Sequence, residues 1–305
     1  MFSWICGKLI GAGSFGNVVF GLNKDTGEVM AVKQVPIVDL TEENTLEKIK
    51  ALEVEIELLS QLEHKNIVRY IGSSREQEFL NIFLEYEGGG SIAKLISKYG
   101  KFQENLVRIY SKQILEGLEF LHVHNVVHRD IKGANVLVDS NGICKLADFG
   151  GAKRIYAGAS GEIALLTSLK GTPYWMAPEI VKQTGHGRKA DIWSFGCTVI
   201  EMATGKHPWS NKKNQFAAMF HIGNTTQPPD FPEDFSEEGK DFLTKVLKIN
   251  PNERPNIRAL LNHPFILNEF VPKEDISELN KDKKVRKGTI VQKEPPVVKL
   301  LPQQN

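Results

Sequence analysis

The passage HRDIKGANVLVDSNGICKLADFG, residues 128–150, brings Asp130, Lys132, Asn135 and Asp148 into one short stretch of chain. Asn and Asp supply hard oxygen ligands of the kind Mg²⁺ takes one or two at a time, with phosphates and water completing its shell. Asp130 and Lys132 enter the same pocket from the preceding loop, so that all four side chains fit a single phosphoryl-transfer site. The competing reading is a surface hairpin with scattered charges.

The elements that must position these groups follow from the local pattern. Two apolar runs, 136–138 and 143–146, flank Asp139-Ser140-Asn141-Gly142, where Asn-Gly signals a tight hairpin. That turn sets Val138 opposite Ile143 and Asn135 opposite Leu146, leaving Asp148 one side-chain diagonal, about 7 Å, from Asn135. Upstream, Gly11-Ala12-Gly13-Ser14-Phe15-Gly16-Asn17-Val18 is a GxGxxGxV stretch between strand patterns, where absent Cβ atoms let backbone N–H groups approach phosphate oxygens. Alone it could equally be a glycine-rich hairpin. No helix opens after the glycines, as a Rossmann fingerprint needs, and no Walker GK[ST] follows.

In EVMAVKQV the two-residue period puts Ala31, Lys33 and Val35 on one face. A lysine there is costly unless paired. The stretch TEENTLEKIKALEVEIELLSQLEH reads as one amphipathic helix with Thr41 as its cap, and Glu55 falls at the margin of its apolar stripe. A Lys33–Glu55 pair would hold the ammonium within reach of phosphates; a snorkelling lysine and a rim glutamate are the alternative.

Lys plus Arg number 38 against 37 Asp plus Glu, a net charge of +1, which argues against a dedicated nucleic-acid binder. The three cysteines, Cys6, Cys144 and Cys197, lie far apart, excluding a disulfide framework or cysteine zinc site and favouring a reducing, intracellular compartment. No apolar run is long enough for a membrane span, and no signal peptide is legible. Residues 1–86 are β-rich with one helix. Helix-sized segments near 104–124, 190–205 and 236–248 make 87–270 mostly helical. Residues 271–305 lack aromatic side chains and read as a flexible tail, whose KKVRKGTIV stretch is a solvated charge run or a docking peptide for an acidic groove.

Taken in order, GAGSFGNV, AVK, the helix carboxylate, HRDIKGAN, DFG and APE resemble a eukaryotic protein kinase over residues 4–270. The resemblance implies an α+β, two-lobed fold, with an ATP-binding lobe over 1–86 and a catalytic lobe over 87–270. It also implies a hinge at Glu85-Tyr86-Glu87 behind the gatekeeper Leu84. ATP would contact Ile10, Gly11, Ala12, Gly13, Ser14, Phe15, Gly16, Asn17 and Val18, with Ala31, Leu84, Glu85, Glu87 and Leu137 around the adenine. Asp130 would take or orient the substrate hydroxyl proton, Lys132 would steady the γ-phosphate, Asn135 and Asp148 would hold Mg²⁺, and Lys33, paired to Glu55, would grip the α- and β-phosphates.

HRDIKGAN, GTPYWMAPEI, KADIWSFGCTVIEMATGKHPW and AAMFHIGN narrow the resemblance to the MEK-kinase class, MAP kinase kinase kinases that phosphorylate MAP kinase kinases on Ser or Thr. Such a chain would have protein substrates and a possible scaffold or activator. It would bind no nucleic acid, insert in no membrane, and be cytoplasmic, with nuclear shuttling open. An upstream kinase of MAP kinase kinase kinases and a catalytically silent scaffold are the rivals. Gly151 departs from the alanine often found after DFG. The likeness further implies a Glu179–Arg254 ion pair, and His128, Asp191, Trp193 and Trp209 as buttresses of the catalytic loop. Cys144 should lie near the ATP cleft, and Thr172 should place its hydroxyl beside Asp130 and Lys132. Phosphorylation of Ser168, or of Thr167, should switch the enzyme on through Arg129 and Lys153.

Overall fold

The computed structural model describes residues 3–13, 16–37, 56–76, 79–155, 171–185 and 187–268. The first part is an antiparallel sheet of β1 (Trp4–Gly13), β2 (Gly16–Asn23), β3 (Val29–Pro36), β4 (Tyr70–Arg75) and β5 (Phe79–Glu85), in the order β1-β2-β3-β5-β4. Alternation along β3 divides its side chains as expected. Met30 and Val32 are fully buried with Val19 and Phe83 against Trp4 and Ile71, while Ala31 and Lys33 face the other way. The expected strands are all present, and β4 is an addition. Its sequence YIGSSR shows no apolar alternation, and it holds its place by pairing with β5 from Arg75↔Leu80 to Tyr70↔Leu84. Residues 56–60 are helical with Leu58 and Leu59 buried; Thr41 and Glu55 lie outside the described residues.

The second part is mostly helical, so the whole is a two-lobed α+β kinase fold. Ser91 caps Ile92–Tyr99 by accepting a hydrogen bond from the Lys94 N–H, and Ser236 caps Glu237–Val246 through the Gly239 N–H. The helices Glu104–Val123, Arg188–Thr204 and Glu237–Val246 stand where the 3.6-residue periodicity placed them, within a few residues. Arg188–Thr204 is buried on every side from Ala190 to Ala203, which identifies it as the central pillar. Phe195 of this helix packs edge-on against Phe242, which stacks on Phe265; none of the three is exposed, each burial contributing about 1.5–3 kcal/mol. Among the described residues no helix is long and apolar enough to cross a membrane. The tail, with KKVRKGTIV, lies outside them.

A small sheet of Gly90–Ser91, Val136–Val138 and Cys144–Leu146 corrects the hairpin register. Val138 pairs with Cys144, not Ile143, and Val136 with Leu146. The cause is the Asp139 carboxylate. Its Oδ1 accepts from the Asn141 N–H at 2.7 Å and the Ile143 N–H at 2.8 Å, while the Asp139 N–H donates to the Ile143 carbonyl. Ser140, Asn141 and Gly142 therefore all belong to the loop, with Gly142 left-handed at φ 81°. Asn135 consequently lies opposite Ala147, whose N–H donates to the Asn135 carbonyl at 2.9 Å. The slip moves Asp148 closer along the chain to the residue facing Asn135.

Candidate active site

Between the sheet and the helical lobe lies a cleft of about 1060 Å³. Its walls include Ile10, Gly11, Ala12, Gly16 and Val18 from the glycine-rich hairpin, Ala31 and Lys33 from β3, Leu84, Glu85 and Glu87 where the chain crosses between lobes, and Lys132, Asn135, Leu137 and Asp148 below. Gly16, at φ 148°, is fixed by close approach: a Cβ there would stand 2.1 Å from the Gln34 carbonyl oxygen. Gly13 and Asn17 are not among the lining residues; they pair with Gly16 and Ala12 within the β1–β2 ladder. Ser14, Phe15 and Glu55 lie outside the described residues.

Deep in the cleft the Lys33 ammonium is 3.4 Å from Asp148 Oδ1. Asp148 adopts the left-handed region at φ 60°, which turns its carboxylate out of the strand direction of Cys144–Leu146. The amide nitrogen of Asn135 donates to the Asp130 carbonyl at 2.9 Å and to Asp130 Oδ2 at 2.8 Å, so the amide oxygen is left as a hard donor. Two oxygen donors and one ammonium thus share one end of the cleft. Among the described residues no group of three or more His, Cys, Asp or Glu could hold a metal ion.

Asp130 is the centre of a compact polar network. Lys132 Nζ donates to Asp130 Oδ2 at 2.7 Å and to the Thr172 hydroxyl at 2.5 Å, and that hydroxyl donates to Asp130 Oδ1 at 2.8 Å. Burial pushes the Asp130 carboxyl up, but the Lys132 ammonium and the Thr172 hydroxyl outweigh it and hold the group below the usual carboxylate range. The backbone beneath is held from a distance. Asp191 accepts the His128 N–H at 2.9 Å, the Arg129 N–H at 2.8 Å and His122 Nε2 at 2.8 Å. Those contacts keep Arg129 left-handed at φ 68°. Asp191 is completely buried; burial raises its pKa, yet the hydrogen bonds from His122 and the Arg129 N–H, with the neighbouring His128, leave it lowered.

Glu201 is a functional-site residue that motif reading passed over. Its carboxylate accepts the Gly133 N–H at 2.8 Å and Trp175 Nε1 at 3.0 Å, tying the catalytic loop to the segment after Thr172. Lys145 was also missed: from the strand beneath the cleft it reaches Glu85 and Glu87. Lys94, on the far side, donates to the Ile10 carbonyl at 3.1 Å. These links join residues far apart in sequence, and no local pattern announces them.

Glu179 and Arg254 form the expected pair, a buried bidentate contact at 2.6 and 2.8 Å. Trp209 packs edge-on against His221, and Trp193 is the aromatic face under Arg254 at 5.0 Å; both share the main core cluster with Ile131 of the catalytic loop. One expectation needs correction. Cys144 does not line the cleft; it is fully buried in the main core, where desolvation pushes its thiol far up. Arg129 donates from Nε to the Gly151 carbonyl at 2.5 Å, and Lys153 lies exposed on a short strand paired with Val126–Val127. Their expected partners Ser168 and Thr167 lie outside the described residues.

Residues 4–266 match the family model of the protein kinase domain. The chain belongs to the protein kinase family. This kinase domain is 51% identical over 266 residues to Mitogen-activated protein kinase kinase kinase A of Dictyostelium discoideum, covering 87% of this chain and 28% of that protein. It is 54% identical over 268 residues to Mitogen-activated protein kinase kinase kinase 2 of Arabidopsis thaliana, covering 86% of this chain and 40% of that one. Mitogen-activated protein kinase kinase kinase YODA of the same plant is 51% identical over 266 residues. The chain spans well under half the length of these relatives. The likeness of the kinase domain to the MEK-kinase class, expected from its motifs, holds.

Proposed function

We propose that this domain transfers the γ-phosphate of ATP to Ser and Thr hydroxyls of protein substrates, and that those substrates are MAP kinase kinases. The observation that carries the reading is the Thr172 hydroxyl seated between Asp130 and Lys132. A substrate hydroxyl approaching the same pair would find an ionised carboxylate to orient it or take its proton and an ammonium to meet developing phosphate charge. The slot is filled by a short β-hydroxyl, which supports selection of Ser and Thr over Tyr.

ATP is the substrate in the cleft, with the adenine between Val18 and Ala31 above and Leu137 below, and Lys33 on the α- and β-phosphates. Mg²⁺ fits the donor set, because the Asn135 amide oxygen and the Asp148 carboxylate are hard ligands at one mouth and Mg²⁺ needs no more than one or two protein groups. When bound there it supplies charge neutralisation for the phosphates. Lys33, pulled toward Asp148, and Asp130, held ionised, are arranged before any substrate arrives, which is how positioning and electrostatics do most of the work in phosphoryl transfer. Phosphorylation of Ser168, with Thr167 as a second site, would recruit Arg129 and Lys153 and couple segment order to the loop that carries Asp130.

The test is Mg²⁺-dependent transfer of labelled phosphate to a panel of purified MAP kinase kinases, with Asp130→Asn as control and phosphoamino-acid analysis of the product. Phosphoserine or phosphothreonine above that control is expected. Incorporation no higher than the control favours a silent scaffold, and labelling confined to MAP kinase kinase kinases favours the upstream reading. Full activity of a Ser168→Ala/Thr167→Ala variant, insensitive to phosphatase, would remove the switch.

A further inference from the structure

The Lys94 side chain crosses the mouth of the cleft. It starts in the first turn of the helix Ile92–Tyr99, and its ammonium donates to the Ile10 carbonyl oxygen on β1, 3.1 Å away in the other lobe. Both residues line the cleft. Lys33 and Lys132 within it each lie against a carboxylate, whereas among the described residues Lys94 meets none.

The backbone on both sides is arranged around this contact. A cation in the first turn of a helix opposes the helix dipole, and this first turn carries no acidic side chain to offset it. Helix stability therefore does not account for a lysine there. Ser91 caps the helix by accepting the Lys94 N–H at 3.2 Å, which fixes where the side chain begins. The stem then runs back over Gly90, where a Cβ would stand 3.7 Å from Lys94 Cδ. On the opposite lobe Leu9 pairs with Val19 and Gly11 with Val18, so Ile10 is the extra residue of a bulge in the β1–β2 ladder. A bulge re-aims the groups of the strand that carries it. Here the carbonyl of the bulged residue is the one that meets the ammonium.

We propose that Lys94 is a positioning residue that latches the glycine-rich hairpin to the helical lobe and so sets the rate at which nucleotide leaves the cleft. The carbonyl it holds directly precedes Gly11, so lifting the hairpin breaks the bond. A contact made across a closed cleft and lost on opening slows dissociation and leaves association little changed. The acceptor is a neutral carbonyl of the protein, so the effect does not depend on how many phosphates the nucleotide carries. The inference rests on the reading of the cleft as an ATP site and goes further in naming a residue that controls the exit.

Release of Mg-ADP and of adenosine from the immobilised full chain, followed by surface plasmon resonance, decides it. Lys94→Met keeps the stem and loses the donor. Both ligands should then leave about fivefold faster, the worth of one hydrogen bond from a charged donor at a solvated site, with little change in association rate. Lys94→Arg, which keeps a donor, should restore slow release. Lys98→Met removes one charge from the same helix outside the lining of the cleft and should release both ligands at the wild-type rate. Faster release of ADP with unchanged release of adenosine overturns the latch, since Lys94 would then hold a phosphate and not the hairpin. A melting temperature of the ligand-free Lys94→Met chain lower by more than about 4 °C also overturns it, because faster release would then follow from a general loss of stability. A wild-type chain that binds neither ligand sinks the nucleotide reading and the latch together, whereas wild-type binding with release insensitive to Lys94→Met sinks the latch alone.

Discussion

The Lys145 ammonium lies 2.9 Å from the carboxylate of Glu87, whose side chain is 3% exposed, and from the same position it reaches Glu85 at 2.7 Å. Leu137, which lines the cleft, is the strand partner of Lys145, so one side chain ties the floor of the cleft to the crossing between lobes. Burial pushes the Glu87 carboxyl up, and Lys145 pulls it partly back. Lys145→Met should therefore cost about 3 kcal/mol, because it strands a buried carboxylate without its cation. With Lys145 gone the folded pKa of Glu87 rises further, so the deficit should be largest at neutral pH and shrink as pH falls and Glu87 takes up its proton. Thermal melts at pH 8 and pH 5 check this, and an equal deficit at both would refute it. ATP KM should rise more than kcat falls.

Lys132 sets the acid side of the activity profile. In the wild type the folded pKa of Asp130 is depressed, so its stabilising contribution is present above the unfolded pKa and lost as pH falls through the folded one. In Lys132→Met the upward push of burial goes largely unopposed, and the acid limb of kcat/KM should move to higher pH. A limb that stays in place would show that another group titrates there. Thr172→Ser should keep most of the activity, whereas Thr172→Val should lose about tenfold or more through the vacated contacts to Asp130 and Lys132.

Gly151→Ala and Gly133→Ala should behave in opposite ways. A Cβ at Gly151 meets nothing closer than the His128 carbonyl oxygen at 3.5 Å, so the alanine should be neutral or stabilise by about 0.4–1 kcal/mol through the unfolded chain. At Gly133 a Cβ would stand 2.6 Å from Glu201 Oε1 and displace that carboxylate from the Gly133 N–H and Trp175. Destabilisation by about 1–3 kcal/mol with reduced kcat is expected in denaturant titrations and kinetics of the same preparations.

Lys33→Met and Asp130→Asn should abolish transfer while leaving the melting temperature near the wild-type value, against an activated wild-type turnover on the order of 1–100 s⁻¹. Arg254→Ala should do the reverse in stability: removing one half of the buried Glu179 pair costs about 3–5 kcal/mol. An Asp130→Asn enzyme retaining more than about a tenth of wild-type turnover would contradict the assigned base, since general-base contributions are typically larger than that.

Much of this architecture could be read from residue order because its signals are local. The alternation around Lys33, the helix-sized segments of the second lobe, and the hairpin carrying Asn135 and Asp148 each depend on neighbours a few positions away. The hairpin register slipped because the turn chemistry belongs to Asp139, whose side chain widens a loop that Asn-Gly alone would have closed. β4 was hidden because YIGSSR is a strand by virtue of β5, and the Lys145 clamp because its carboxylates lie far upstream. Cys144 misled for a related reason: adjacency to the cleft in sequence says nothing about which face of the strand a side chain takes.

The dependence of the His128–Asp130 backbone on Asp191 has a bearing on how the protein is made. A ribosome delivers Lys33, Asp130, Asn135 and Asp148 before it delivers the Arg188–Thr204 helix, at about 5–20 residues per second. Until that helix emerges and its carboxylate accepts the two loop N–H groups, the His128–Asp130 backbone lacks the acceptor that anchors it to the helical lobe. The nascent chain thus carries all four of these cleft side chains before the helix that anchors the loop of Asp130 exists, so their arrangement waits on the synthesis of the helical lobe.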